Sequence, residues 1–114
     1  MTSPSNIYPI KAKLIAEAEI QVEILQISHT GMLVDSLNTP LAVGKIYQIH
    51  FEFPMIEENA EASVLILRTY AEMNPSGAAR KTRHMNELVY KKPPRSFNEL
   101  LIKFLATASH RQKT

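Results

Sequence analysis

The pattern of hydrophobic and polar positions changes character twice along the chain. From Glu17, polar Glu17, Glu19, Gln21 and Glu23 alternate with apolar Ala18, Ile20, Val22 and Ile24, the two-residue period of a strand with one wet face. At Ile24-Leu25 the alternation slips: Leu25 and Ile27 become the apolar positions and Gln26 and Ser28 the polar ones, as one inserted residue in a β-bulge would produce. Residues 17–27 are therefore expected to be a strand. Ser28-His29-Thr30-Gly31 reads as a turn, with Gly31 expected in a backbone conformation closed to other residues, and Met32-Leu33-Val34 resumes an extended run. After Pro40 and Gly44, Tyr47, Ile49, Phe51 and Phe53 alternate with Gln48, His50 and Glu52, predicting a strand over 45–53 that ends at Pro54. Residues 62–70 contain Val64-Leu65-Ile66-Leu67, apolar on both faces and so expected to be a central strand. Residues 82–91, with Met85, Leu88, Val89 and Tyr90, fit neither period, and strand and helix both stay open.

The last segment differs in kind. Phe97, Leu100, Leu101, Phe104, Leu105 and Ala108 recur at helical spacing, predicting one amphipathic helix over 96–109. Ser96 with Glu99 reads as a capping box, and Pro93-Pro94 stops any earlier helix. Residues 1–13, with Pro4 and Pro9, read as a flexible lead-in, and 14–110 as one domain, since 114 residues suffice for a single core. About five to six short strands followed by a helix imply a mainly β protein, a small antiparallel β-barrel with a C-terminal α-helix.

The chain has no cysteine, which excludes disulfides and thiolate metal sites and fits a reducing compartment. Its apolar runs are too short to span a membrane, and residues 1–13 lack the apolar core of a signal peptide; a cytoplasmic location is expected. The net charge of +2 conceals a split. Residues 1–67 carry three lysines against eight acids, a balance of −5, whereas residues 68–114 carry ten basic residues against three acids, a balance of +7. Such polarity fits an acidic partner or simply a solvated basic face. Four scattered histidines, only three glycines and no phosphate-cradling loop give no catalytic or metal constellation, so neither an enzyme nor a bound cofactor is expected.

Gln26-Ile27-Ser28-His29-Thr30-Gly31 resembles the motif of the PilZ family, bacterial receptors of the second messenger cyclic di-GMP: Asp or Asn, any residue, Ser, two of any kind, Gly. The Ser and Gly match and the first position does not. Met32-Leu33-Val34 after the glycine, Leu41-Ala42-Val43-Gly44-Lys45 before a long alternating strand, a following apolar strand and a closing helix extend the resemblance over most of residues 14–108. The family's second signature, two arginines in the lead-in that hold the phosphates and guanine edges, is missing, because no arginine precedes Arg68. Lys11 and Lys13 stand roughly there, but offer point charges where the chemistry calls for planar forks.

The resemblance thus implies a non-enzymatic signalling adaptor in cyclic di-GMP, motility or pilus pathways, acting through a protein partner. Lys11, Lys13, Gln26, Ser28 and Gly31 would be its ligand residues, with cyclic di-GMP bound weakly or not at all. Arg80, Lys81, Arg83, Lys91, Lys92 and Arg95 are the candidate partner contacts, and charge swaps at Arg80, Lys81 and Arg83 are expected to leave stability nearly unchanged. The alternative is a barrel that binds nucleic acid through the basic second half, with Tyr47, Phe51 and Phe53 as a stacking platform or simply as core. Ser28 and Gly31 read equally as plain turn residues.

Overall fold

Apolar side chains at every second position give each strand one face that must leave water, and six such strands satisfy this by closing on themselves. The computed structural model describes residues 7–37, 39–73 and 82–112. Its elements are β1 (Ile10–Ile15), β2 (Glu19–Ile27), β3 (Gly31–Asp35), β4 (Ile46–Phe53), β5 (Glu58–Met73), β6 (Thr82–Tyr90) and α1 (Arg95–Gln112). The strands form a closed antiparallel barrel in the order β1-β2-β3-β6-β5-β4. The barrel with its single closing helix is the architecture expected from the pattern.

Most inward positions are the predicted ones, but Ala18 is exposed in the bend before β2, which starts at Glu19, and Leu25 at the slip is only half-buried. Val22, Ile24 and Ile27 of β2, Tyr47, Ile49, Phe51 and Phe53 of β4 and Val64 and Ile66 of β5 are all buried. The slip in β2 is a register shift against β3 between Ile24 and Gln26. Tyr47, Phe51 and Phe53 are core, which removes the stacking platform.

Several expectations change. Residues 10–13, read as lead-in, belong to β1: Ile10, Ala12 and Leu14 are buried while Lys11 and Lys13 between them are exposed. Residues 82–90 are strand. Their period was disguised because the inward position Asn86 is polar; it is buried and its amide donates to the His84 carbonyl at 2.9 Å and to Ser36 Oγ at 3.1 Å. Helix α1 begins at Arg95, with the Asn98 N–H donating to the Pro94 carbonyl at 3.1 Å, so Ser96 lies inside the first turn and not at the cap. The both-face apolar run in β5 is not doubly buried, because a closed barrel leaves one face of every strand outside; Leu67 is 53% exposed.

Phe97, Leu101, Phe104 and Ala108 form the buried stripe of α1. Phe53, at the end of β4, packs against Phe97 and Phe104 with ring centroids 6.0 and 5.0 Å away. The helix thereby lies over the barrel mouth where β2, β4 and β6 end and β1, β3 and β5 begin.

Candidate functional site

The β2–β3 turn sits at that mouth, and Ser28 builds it. Its N–H donates to the Gly31 carbonyl at 2.8 Å, its hydroxyl donates to the same oxygen at 3.1 Å, and it accepts from the Gly31 N–H at 3.3 Å. The side chain is therefore committed to the turn. Gly31 is required for space, not for an unusual backbone angle: its φ is not in the left-handed region, but a Cβ there would lie 1.9 Å from the Leu88 carbonyl oxygen. β3 can approach β6 this closely only without a side chain.

Two tyrosines lock the turn. Tyr90 donates its hydroxyl to the carbonyls of Ser28 (3.0 Å) and Gly31 (3.1 Å), and its ring meets Phe97 edge-on at 5.1 Å. Tyr8 accepts the Ile27 N–H at 3.2 Å. Burial, reinforced by nearby Tyr8, holds the Tyr90 phenol well above its ordinary pKa; burial also raises Tyr8, partly offset by the Ile27 hydrogen bond. Turn, β6 and helix are thus tied through one residue.

Beside the turn, on the outer surface of the barrel, lies an open groove of about 360 Å³. Gln26, Ser28 and Gly31 line it together with Leu33, Leu67, Tyr70, Glu87 and Val89. The structure therefore unites three of the predicted ligand residues. Sequence reasoning missed Leu67, Tyr70 and Glu87; the signal for the first was the apolar run on both faces of β5. Glu87 is the ionisable carboxylate among the lining residues, and neither lysine nor arginine is among them. Arg68 sits at its border, bound to Glu87 at 3.0 Å and stacked over Tyr70 at 5.1 Å.

The other candidates lie elsewhere. Lys11 faces Glu23 across β1–β2 and does not line the groove. Lys13 pairs with Glu19 at 3.3 Å and borders a second groove of about 510 Å³ with His50, Glu52 and Glu61. Arg80 and Lys81 lie outside the described residues. Arg83 starts β6 while Lys91, Lys92 and Arg95 follow its end, so roughly 23 Å of strand separates them at about 3.3 Å per residue. The basic stretch of sequence is therefore not one surface. Arg83 is moreover an anchor, its Nε 3.4 Å from the carboxylate of buried Asp35. Lys91, Lys92 and Arg95 are exposed.

No protein-family model matches the chain, and no curated protein matches it. Solved structures do. The PilZ domain with c-di-GMP of YcgR from Escherichia coli is similar over 90% of this chain and 82% of its own, with a TM-score of 0.74 and 11% identity. The fold is that of a PilZ domain. A second likeness, to the Bacillus subtilis inhibitor of motility MotI/DgrA, covers 95% of this chain with a TM-score of 0.75 and 14% identity, and this chain spans half of that protein's length. On the PilZ fold, Gln26 to Gly31 occupy the end of β2 and the turn beside the groove. Among the described residues no helix is long and apolar enough to cross a membrane, and no cluster of three or more His, Asp or Glu is placed to hold a metal ion.

Proposed function

We propose that the chain is a non-enzymatic PilZ-type adaptor in second-messenger or motility signalling that has lost tight cyclic di-GMP binding and acts through a protein partner. One observation carries this reading: the groove beside the PilZ-like turn is lined by a carboxylate and by no basic residue among those described, and Arg68 at its border is already paired with that carboxylate, Glu87. A cyclic dinucleotide brings two phosphates, and phosphates are held by fixed guanidinium or ammonium groups. Lys11 and Lys13, the nearest substitutes by sequence, stand on β1, and Lys13 is paired to Glu19. The Ser28 hydroxyl is held inside the turn.

The similarity to a structure that contains c-di-GMP and to an inhibitor of motility supports the choice of pathway. For a basic contact to an acidic partner, Lys91 and Lys92 on the β6–α1 connection and Arg95 at the start of α1 are close in sequence and exposed. A nucleic-acid role loses support, since Tyr47, Phe51 and Phe53 point inward and the cations are divided between two ends of β6.

Isothermal titration with cyclic di-GMP tests the loss of binding. Two missing bidentate arginines, worth about 1.5–3 kcal/mol each, predict affinity at least about 100-fold below that of an intact site. Submicromolar binding would overturn the proposal.

A further inference from the structure

β5 is sixteen residues long, and only its first part is used on both sides. β4 pairs with Glu58–Leu65, and the last bonds on that side run from the Gly44 N–H to the Ile66 carbonyl at 2.8 Å and from the Ile66 N–H to the Lys45 carbonyl at 3.0 Å. From Leu67 to Met73, among the described residues, β5 is paired with β6 alone. Pro40 and Leu41 approach Thr69 and Ala71 across a hollow of about 150 Å³, and no backbone hydrogen bond joins them.

The direction of the unpaired groups follows from the bulge between Ile66 and Arg68. Ile66 turns its N–H and C=O toward β4. The extra residue shifts the alternation by one, so Arg68, Tyr70 and Glu72 turn theirs toward β6, and Thr69 and Ala71 turn theirs to the open edge. Exposed edges are usually guarded by lysine or proline, and residues 67–73 (Leu-Arg-Thr-Tyr-Ala-Glu-Met) contain neither. Leu67 and Tyr70 are exposed beside this edge.

The edge is complementary to itself. Laid antiparallel against a second copy with Tyr70 opposite Tyr70, it sets Arg68 opposite Glu72 twice and Thr69 opposite Ala71 twice. This is also the register in which the outward N–H and C=O groups of Thr69 meet those of Ala71, so backbone and charge select the same alignment. We propose that the open edge of β5, from Leu67 to Met73, pairs with the same edge of a second copy of this chain about a two-fold axis at Tyr70. The two grooves beside Gly31 then flank that axis, since Tyr70 lines both.

Sedimentation equilibrium over a wide concentration range, with thermal melting of each variant as the folding control, tests it. The wild type is expected to dimerise. Arg68→Glu and Glu72→Arg each put like charges opposite one another at two places and should weaken the dimer by about tenfold or more, while the double reversal restores it to within a few-fold. Ala71→Pro removes one N–H on the open edge and none on the β6 side, so it should melt as a folded monomer. A wild type that stays monomeric at millimolar concentration overturns the proposal. So does a dimer that all three single variants leave unchanged, or one that the double reversal fails to recover.

Discussion

The two walls of the barrel share one interior and present opposite exteriors. On β1 and β2 the outward positions are mostly polar, Lys11, Lys13, Glu19, Gln21 and Glu23 beside a half-buried Ile15, with Lys11 in register with Glu23 and Lys13 with Gln21. On β3, β6 and β5 they include Leu33, Leu65, Leu67, Tyr70 and Val89, with Gly31 beside Val89 and Leu65 in one row. Closing the barrel requires apolar residues inside only. The first wall shows the ordinary outcome, charges solvated and weakly paired. The second keeps Leu67 and Tyr70 exposed and Leu33, Leu65 and Val89 half-buried where polar residues would serve closure equally well, and it is the wall that carries the groove and the proposed dimer edge.

The strongest way to break that second wall is Gly31→Ala. The methyl group would run into the Leu88 carbonyl, a backbone atom unable to move alone, and the expected loss is about 3 kcal/mol or more in urea denaturation. A loss below about 1 kcal/mol would mean that β3 and β6 part easily there. Interior and exterior separate with Leu14→Ala against Leu67→Ala. Leu14 is fully buried and its truncation should cost about 3 kcal/mol, while Leu67→Ala in dilute solution should stay within about 0.5 kcal/mol. Equal costs would show that Leu67 is packed after all.

The basic residues divide in the same manner. Arg83→Glu sets a second anion beside buried Asp35 and should cost about 1–2 kcal/mol, whereas Arg95→Glu, at a position 92% exposed, should cost less than about 0.5 kcal/mol. The sequence-based expectation that charge swaps at Arg80, Lys81 and Arg83 leave stability nearly unchanged is thus withdrawn for Arg83.

Tyr90→Phe should cost about 1 kcal/mol for the hydroxyl shared between Ser28 and Gly31. It carries a pH signature. The folded state holds the Tyr90 phenol above its unfolded value near 10, so its contribution is complete below about pH 10 and is lost as pH rises from there toward the folded value. Alkaline denaturation of the variant should show a shallower fall in stability above pH 10 than the wild type, with Tyr8 retaining the remainder; identical slopes would show that Tyr90 is not the group responsible.

What the sequence determined alone is whatever depends on near neighbours. The inward faces of β2 and β4, the bulge beyond Ile24 and the buried stripe from Phe97 to Ala108 are periodic, and a period is visible over a few residues. β1 carried the same signal in Ile10, Ala12 and Leu14, which Pro9 beside it overshadowed. The tertiary structure decided the rest, because the deciding atom came from far along the chain. Gly31 is needed because of Leu88. Asn86 is tolerated inward because Ser36 and the His84 carbonyl accept its amide. Arg83 and Lys91, near one another in sequence, are driven apart by a straight strand. Gln26, Ser28, Leu67, Tyr70 and Glu87 share one groove only because barrel closure sets β3 against β6 and β6 against β5, a pairing that no local pattern encodes.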